Sequence, residues 1–450
     1  MAEARNVNEE KGLRHELSAG QMAMVAVGGS IGTGLLLGSA NAIGLAGPAV
    51  ILSYVLAAFI NFTVACALGE LACAHPAAGS FGVYGDLYLN DWAGFLSRGG
   101  YWAAIAVSIG TELVASAIYM GLWFPAVPAI VWVALFSIAL LLVNLLDVGQ
   151  YGRFEFWFAM VKVVTIVAFV ILGAALLLSG QVSPQYTAQS GFFPVGVLAP
   201  FLAMTFAIYA FGGIEFVAVS SGEARSPNEI AKAIRITFAM LTILYLGAIA
   251  VLVGVMPWNQ AGVSESPFVT VFRSVKIPAA SHIMNFVVLT AALSGANAAL
   301  YVSSRMLFSM ARTGWAPASL GKLNKQGSPK LAVLVSSYGI VVALVMERWA
   351  PGKAFEYILR AAFFGMILSW IVSLAAHISF RRSASPEQIR SLPLHSPLGG
   401  WGSIVGFTVI CAVVLKGWWD SRVNLISGAL YLMLLTAAWW LIKASRRRSL

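Results

Sequence analysis

The chain has 450 residues, of which 59% are hydrophobic and only 10% are charged, and its mean hydropathy is +0.83. Soluble globular domains carry about 25% charged residues, so this composition excludes a soluble protein and predicts a surface that mostly faces lipid. The formal net charge of +10 then reflects basic loops beside a membrane and not nucleic-acid binding. Cys66, Cys73 and Cys411 show no metal or redox spacing, which indicates packing residues.

Twelve apolar segments follow one another along the chain, each close to the ~20 residues that a helix needs to cross a bilayer. They predict an all-α membrane protein with twelve transmembrane helices in a single domain, residues 19–442. A polar tail (1–18) without the apolar core of a signal peptide precedes this domain, and a short basic tail (443–450) follows it. The predicted spans are 19–42, 46–72, 95–118, 125–146, 154–179, 197–221, 233–256, 281–308, 331–347, 355–378, 403–418 and 424–442.

Basic residues indicate how the helices cross the membrane. With the N-terminus in the cytoplasm, most of the 28 lysines and arginines lie in cytoplasmic segments, while the outer loop 180–196 contains none. Cytoplasmic loops of membrane proteins carry an excess of Lys and Arg, so we expect both termini to be cytoplasmic. The closing basic residues 446–448 either anchor that end or contact anionic lipid.

The first span contains four glycines in the seven residues 28–34, which read GGSIGTG. Each glycine in a helix costs about 1 kcal/mol relative to alanine, so we expect the helix to be unwound here. Unwound backbone is tolerated in a bilayer only where protein covers it or where it lines a cavity. Close packing of small residues between helices is the alternative interpretation.

A helix broken in mid-membrane has the chemistry of an amino-acid site. The free N–H groups and positive dipole end of one half-helix suit a carboxylate, while unwound carbonyls suit an ammonium. A second interruption is predicted in the sixth span, where residues 209–215 read YAFGGIE. Paired interruptions at corresponding positions of two halves are typical of transporter sites. An odd number of spans separates the two breaks, so the halves are expected to have opposite topology.

Several short motifs, taken in order, resemble the amino acid–polyamine–organocation superfamily, and in particular its bacterial amino acid permeases. The resemblance covers nearly the whole chain and implies a LeuT-like fold: two inverted five-helix repeats (spans 1–5 and 6–10) plus two further helices, with spans 1 and 6 unwound at mid-membrane. The motifs are GSIGTG at 29–34, GELA at 69–72 with Pro76 and Gly79, TEL at 111–113, WFP at 123–125, FGGIE at 211–215, Glu223-Ala224 with Pro227, and SSRMLF at 303–308.

The resemblance also implies a substrate site at the two breaks. The substrate carboxylate is expected to meet the amides of Gly32, Thr33 and Gly34 and the Thr33 hydroxyl. The ammonium is expected to meet the carbonyls of Ser30, Tyr209 and Gly212, with Tyr209 at an aromatic gate position. The family more often has serine or alanine at position 33, so the Thr33 methyl is expected to narrow the site. The full predicted set is Ser30, Ile31, Gly32, Thr33, Gly34, Tyr209, Phe211, Gly212 and Gly213.

Lys162 lies inside the fifth span, where an ammonium costs ~2.5–3.5 kcal/mol on insertion scales. A buried lysine is able to exchange protons near neutral pH, and the resemblance implies that a lysine here replaces a sodium ion in proton-coupled members. We therefore expect Lys162 to carry the coupled proton beside the backbone of Gly28 and Gly29. The alternative is a side chain that extends to the cytoplasmic surface.

Three of the carboxylates in the predicted spans are candidates for a role in transport or gating. Glu112 in span 3 and Glu215 in span 6 are each able to bond a neighbouring helix, relay protons or contact a basic substrate. Since Glu215 follows the second break, we expect it to brace the unwound segment, and we expect a gating or packing role for Glu70 at the end of span 2. The side-chain pocket is expected on spans 3, 6, 8 and 10. Its candidate residues are Ser108, Glu112, Ser116, Ser294, Asn297, Phe364 and Ser369.

The sequence does not favour an enzyme. The glycine-rich stretch follows no strand, lacks the Gly-Lys-Ser/Thr of a P-loop and does not read G-x-G-x-x-G, so nucleotide binding is not indicated. The five histidines are scattered and no His-Glu-x-x-His occurs, so a metal site has no support. We expect no cofactor, no metal and no nucleic-acid partner.

These features predict a secondary active transporter that imports L-amino acids across a bacterial inner membrane by proton symport and alternating access. Its expected partners are an L-amino acid, a proton and the lipid bilayer. One alternative is an exchanger of amino acids or polyamines, which takes up substrate only when substrate is preloaded inside. The other is a membrane amino-acid sensor, which binds its ligand without flux.

Overall fold

The computed structural model describes residues 17–77, 80–146, 151–187, 191–262, 264–274, 278–324, 328–420 and 422–448, and its regular elements in these residues are helices. Residues 1–16 of the predicted N-terminal tail and Gly79 of the second motif lie outside them. The α-helices are α1 (Ala19–Ser30), α2 (Thr33–Leu36), α3 (Gly38–Ala46), α4 (Val50–Ala74), α5 (Ser80–Tyr88), α6 (Asp91–Gly121), α7 (Ala129–Leu146), α8 (Tyr151–Leu178), α9 (Ala199–Leu202), α10 (Met204–Ala210), α11 (Glu215–Val219), α12 (Pro227–Val255), α13 (Pro267–Ser274), α14 (Pro278–Arg312), α15 (Lys330–Ser336), α16 (Tyr338–Trp349), α17 (Ala354–Ser383), α18 (Pro386–Ser391), α19 (Gly399–Asp420) and α20 (Arg422–Arg448).

The helices confirm the predicted all-α membrane protein. Within the described residues, nine helices are long and apolar enough to cross a bilayer, and the pair formed by α10 and α11, bent by 42°, makes ten if the two helices are one span. The first predicted span is divided among α1, α2 and α3, and α7 is shorter than the nine. The count of twelve spans therefore stays a prediction.

Local sequence chemistry sets where the helices begin. Ser18 and Gln21 form a capping box at the start of α1, in which each side chain bonds the backbone N–H of the other. The Asn90 side chain accepts a hydrogen bond from Ala93 N at 2.9 Å and starts α6 earlier than the predicted span 95–118. At the other end of the chain, α20 continues to Arg448, so most of the predicted basic tail is helical.

Two groups of helices frame the centre of the molecule. One group contains α1, α4 and α12, with α10 packed against α4, and the other contains α6, α14 and α17. The helix α8 contacts both groups. The interrupted segments α1–α2 and α10–α11 therefore face the long helices of the second group, and the site described below lies between them.

Glycines allow α6 and α16 to cross at close distance. A Cβ on Gly339 of α16 would lie 1.8 Å from the Ala106 carbonyl oxygen of α6, and one on Gly110 would lie 2.9 Å from the Gly339 carbonyl oxygen. Backbone on both sides leaves no flexible side chain to move away. The two helices thus pack with their backbones in contact, as small residues permit inside membranes.

We predict that Gly339→Ala lowers the thermal unfolding temperature of the purified protein, because overpacking costs about 1–3 kcal/mol. The matched control is Gly44→Ala in α3, where a Cβ meets no heavy atom within 4 Å. This control is expected to leave the unfolding temperature unchanged or to raise it. Equal effects of the two substitutions would show that the crossing is not close-packed.

Candidate functional site

The first break has the predicted position. The helix α1 ends at Ser30 and α2 begins at Thr33, while Ile31 (φ −77°, ψ 83°) and Gly32 (φ −133°, ψ −158°) are not helical. A further interruption at Leu37 separates α2 from α3. The backbone of this segment therefore leaves hydrogen-bonding groups that protein or ligand must satisfy inside the membrane.

The second break separates α10 from α11. Gly213 has φ +115°, a conformation that favours glycine. Its N–H donates to Glu215 Oε2 at 2.9 Å, and the Tyr101 hydroxyl of α6 donates to Glu215 Oε1 at 3.1 Å. The buried Glu215 carboxylate thus holds the unwound segment and links it to the second helix group.

The two breaks touch each other. A Cβ on Gly213 would lie 2.2 Å from Ser30 Oγ and 2.9 Å from Ser30 Cα. A Cβ on Gly34 would lie 3.1 Å from Ala210 Cα. The glycines therefore allow the interrupted segments of the first and sixth spans to approach backbone to backbone, which no larger residue would permit.

A cavity of about 60 Å³ lies against both breaks. Of the predicted residues, Ser30, Gly32, Gly34, Tyr209, Gly212, Gly213, Ser108, Glu112 and Glu215 line it. Ile31, Thr33 and Phe211 lie in the same segments and are buried, but they do not line it. The remaining lining residues are Gly29, Ala104, Ile105, Phe216, Gly295, Ala298, Ala299, Ala362 and Met366.

The carbonyls predicted to meet an ammonium are partly occupied. The Ser30 carbonyl accepts hydrogen bonds from the Tyr245 hydroxyl at 2.8 Å and from Gly32 N at 2.9 Å. The Tyr209 carbonyl accepts a hydrogen bond from Gly212 N at 3.0 Å. A carbonyl oxygen has two lone pairs, so the Ser30 carbonyl has none left for a ligand in this conformation.

Glu112 lies at the first break. Its Oε1 accepts a hydrogen bond from Thr33 N at 3.3 Å. A Cβ on Gly32 would lie 2.7 Å from Oε1, and one on Gly295 of α14 would lie 2.9 Å from Cδ. The carboxylate therefore fills a gap between two glycines, beside the amides that were predicted to bind a substrate carboxylate.

Most of the other side-chain candidates lie away from the cavity. Ser116 bonds the Glu112 carbonyl within its own helix at 2.8 Å, and the Asn297 Oδ1 accepts a hydrogen bond from Asn144 of α7 at 2.7 Å. Ser294 is buried without lining the cavity, and α14 instead contributes Gly295. Phe364 packs on Trp418 and Tyr431, and the Ser369 hydroxyl donates to the Ser97 carbonyl. Of that predicted pocket, Ser108 and Glu112 line the cavity. Successive residues of a helix point about 100° apart, so a residue close in sequence to a lining residue can face another helix.

Lys162 is 2% exposed, and its ammonium donates a hydrogen bond to the Gly28 carbonyl at 2.8 Å. The side chain also lines a small cavity with Ile31 and Leu36 on the far side of the first break. It is therefore directed at the end of α1 and does not extend along the protein surface.

Glu70 is the centre of a separate buried cluster at the end of α4. Its carboxylate accepts hydrogen bonds from Arg381 Nε and from His377 Nε2, each at 2.7 Å, and closer ones from Arg381 Nη2 and Ser396 N. The other ring nitrogen of His377 bonds Ser403 Oγ at 2.7 Å. Glu70 thus ties α4 to α17 and to the segment that leads into α19, and none of the residues in this cluster lines the cavity.

Comparison with known proteins identifies the class to which this fold and site belong. The family model described as amino acid permease matches residues 21–445. The chain therefore belongs to the amino acid permease family, which confirms the superfamily resemblance, and it is a transporter and not an enzyme.

Similar proteins come from several bacteria. The amino acid permease YtnA of Bacillus subtilis is 36% identical over 443 residues, which are 96% of each chain. The aromatic amino acid transport protein AroP of Escherichia coli K12 is 36% identical over 90% of each chain, and the gamma-aminobutyric acid permease of B. subtilis is 33% identical over 90% of this chain and 88% of its own. A crystal structure of the manganese transporter of Eremococcus coleocola has the same fold, with a TM-score of 0.59, 12% identity and coverage of 96% of this chain and 94% of that one.

We predict that Glu70→Gln lowers the free energy of unfolding by about 3–5 kcal/mol, because it leaves the Arg381 charge without its buried partner. Thermal unfolding of the purified protein measures the effect. The double variant Glu70→Gln/Arg381→Gln is expected to lose less than the sum of the single variants.

The control for this prediction is Glu356→Gln, which breaks the pair with Arg360 on α17, whose two side chains are 34% and 32% exposed. Exposed pairs contribute about 0–1 kcal/mol, so its unfolding temperature is expected to stay close to that of the wild type. A small, additive effect of Glu70→Gln would show that the cluster does not fix these helices.

Proposed function

We propose that this protein imports L-amino acids across a bacterial inner membrane by proton symport, with alternating access to the cavity between the two helix groups. The observation that carries the proposal is the pair of helix breaks that face one cavity with unwound backbone and few charged side chains. Such a place suits a small zwitterion, whose α-groups are recognised by the backbone whatever its side chain.

In this proposal the substrate carboxylate accepts hydrogen bonds from the N–H groups of Thr33 and Gly34 at the start of α2. The ammonium donates to the carbonyls of Tyr209 and Gly212 at the end of α10. The Ser30 carbonyl joins them only if Tyr245 rotates away, because its two lone pairs are already used. The names of the relatives support a substrate that carries an amine and a carboxylate, since aromatic amino acids and gamma-aminobutyric acid share these two groups.

The coupled proton is assigned to Lys162. When protonated, its ammonium holds the Gly28 carbonyl one turn before the first break. Loss of the proton removes the positive charge and weakens that bond, because charge-assisted hydrogen bonds are about twice as strong as neutral ones. The lysine thereby links proton binding to the position of α1, and movement of α1, α4, α10 and α12 against α6, α14 and α17 exposes the cavity to one side and then to the other. Both termini are assigned to the cytoplasm from the distribution of basic residues.

The substrate and the mode of transport are tested in proteoliposomes with the twenty standard L-amino acids and 4-aminobutyrate, each labelled and tested separately. We expect at least one L-amino acid to accumulate in initially empty liposomes when a proton gradient is imposed, and not when an ionophore collapses the gradient. Uptake that requires preloaded substrate and ignores the proton gradient would identify an exchanger. Saturable binding without flux would identify a sensor.

We predict that Lys162→Ala abolishes accumulation driven by the proton gradient while substrate binding persists. The control is Lys232→Ala, whose side chain is 62% exposed and pairs with Glu229 on the surface of α12, and it is expected to transport like the wild type. The measurement is the initial rate of uptake with and without the imposed gradient. Undiminished proton-driven uptake by Lys162→Ala would remove the lysine from the coupling mechanism.

A further inference from the structure

We propose that Glu112 is the internal counter-anion of the substrate site: in the carrier without substrate, its carboxylate occupies the place that the substrate carboxylate takes in the loaded carrier. The inference rests on the proposed function and adds a residue that decides whether the empty carrier can return across the membrane. It makes Glu112 a positioning residue that distinguishes net transport from exchange.

The contacts of Glu112 are those expected of a bound carboxylate. Thr33 N, the first N–H group after the break, donates to Glu112 Oε1 at 3.3 Å. The side chain comes from α6, on the opposite side of the cavity from α1, and is only 8% exposed. A second acidic group reaching the same amide would have to take the place of Oε1.

The space around Glu112 is shaped to admit a carboxylate. A Cβ on Gly32 would lie 2.7 Å from Oε1, and a Cβ on Gly295 would lie 2.9 Å from Cδ and 3.0 Å from Oε2. Both of these glycines, like Glu112 itself, line the central cavity. The carboxylate of a substrate bound in this cavity would therefore lie next to the Glu112 carboxylate.

Two polar atoms beside the first break lack hydrogen-bond partners among the described residues. Glu112 Oε2 and Thr33 Oγ1 are both buried, and neither has a hydrogen-bond partner among the residues that the structure describes. An unsatisfied buried acceptor destabilises the protein, and more so when it is charged. Among the described residues, Thr33 is thus the hydrogen-bonding residue at the Glu112 carboxylate, and an incoming carboxylate can take over its N–H group and its hydroxyl.

These contacts of Glu112 predict different effects on net uptake and on exchange, because only net uptake requires the empty carrier to return. In the proton-loaded carrier the Lys162 ammonium attracts the Glu112 carboxylate. A substrate carboxylate can take over the amide only if Glu112 moves away or accepts a proton, because two adjacent anions repel each other in a buried site. When the substrate leaves, Glu112 returns to the Thr33 N–H group. An empty carrier without this carboxylate must move with a poorly satisfied amide at the break, whereas an exchanging carrier always moves with a substrate carboxylate at that amide.

The experiment compares wild type with Glu112→Gln in proteoliposomes, using the same panel of twenty L-amino acids and 4-aminobutyrate. Net uptake is measured into empty liposomes under a proton gradient, and exchange is measured with the same unlabelled compound inside. Glu112→Gln removes a charged hydrogen bond worth about 1.5–3 kcal/mol, which corresponds to a factor of at least about ten. We therefore expect net uptake to fall at least about tenfold and exchange to change less than about twofold. The control Ser116→Ala, one turn further along α6, is expected to change neither rate by more than about twofold.

A second variant covers the case in which Glu112→Gln does not fold. The Cβ of Gly295→Ala displaces the carboxylate without removing its charge, and we expect it to lower net uptake more than exchange as well. If either folded variant lowers both rates equally, or neither rate, the inference is wrong. If the wild type moves none of the compounds in either assay, the proposed function fails, and the inference fails with it.

Discussion

The structure depends on one constraint: the bilayer supplies no water to backbone groups that a broken helix leaves unpaired. At the first break the Tyr245 hydroxyl donates a hydrogen bond to the Ser30 carbonyl, and the Glu112 carboxylate accepts one from Thr33 N. At the second break the Glu215 carboxylate accepts a hydrogen bond from Gly213 N. Each of these partners comes from the protein, and Glu112 and Glu215 also line the cavity. The breaks persist because the protein supplies these hydrogen bonds.

The buried charges follow the same logic. An isolated ion in the membrane interior is costly, so charged residues there pair with each other or with backbone dipoles. Lys162 is bound to the carbonyl of Gly28, where α1 loses its regular hydrogen bonds, and Glu112 and Glu215 accept from amides beside the breaks. These titratable side chains are therefore the ones that stabilise the unwound backbone.

The sequence was enough to predict the helical membrane fold, the two breaks and the buried lysine, because each leaves a strong local signal: long apolar runs, clustered glycines and a charge within such a run. The side-chain pocket was harder. Buried helices are apolar on all sides, so the sequence does not reveal which face meets the cavity, and Ser116 and Asn297 proved to bond within their own helix or to α7. Ala298 and Ala362 line the cavity but look like any other alanine. Arg381, the partner of Glu70, is too distant in sequence to be inferred.

The central claim is that backbone groups at the two breaks bind the α-carboxylate and α-ammonium of the substrate. An experimental structure of the protein with a transported amino acid bound tests it most directly. The account predicts the carboxylate within about 2.7–3.2 Å of the Thr33 and Gly34 nitrogens and the ammonium equally close to the Tyr209 or Gly212 carbonyl oxygen. An amino acid held by side chains elsewhere, with the first and sixth spans continuous helices, would contradict it.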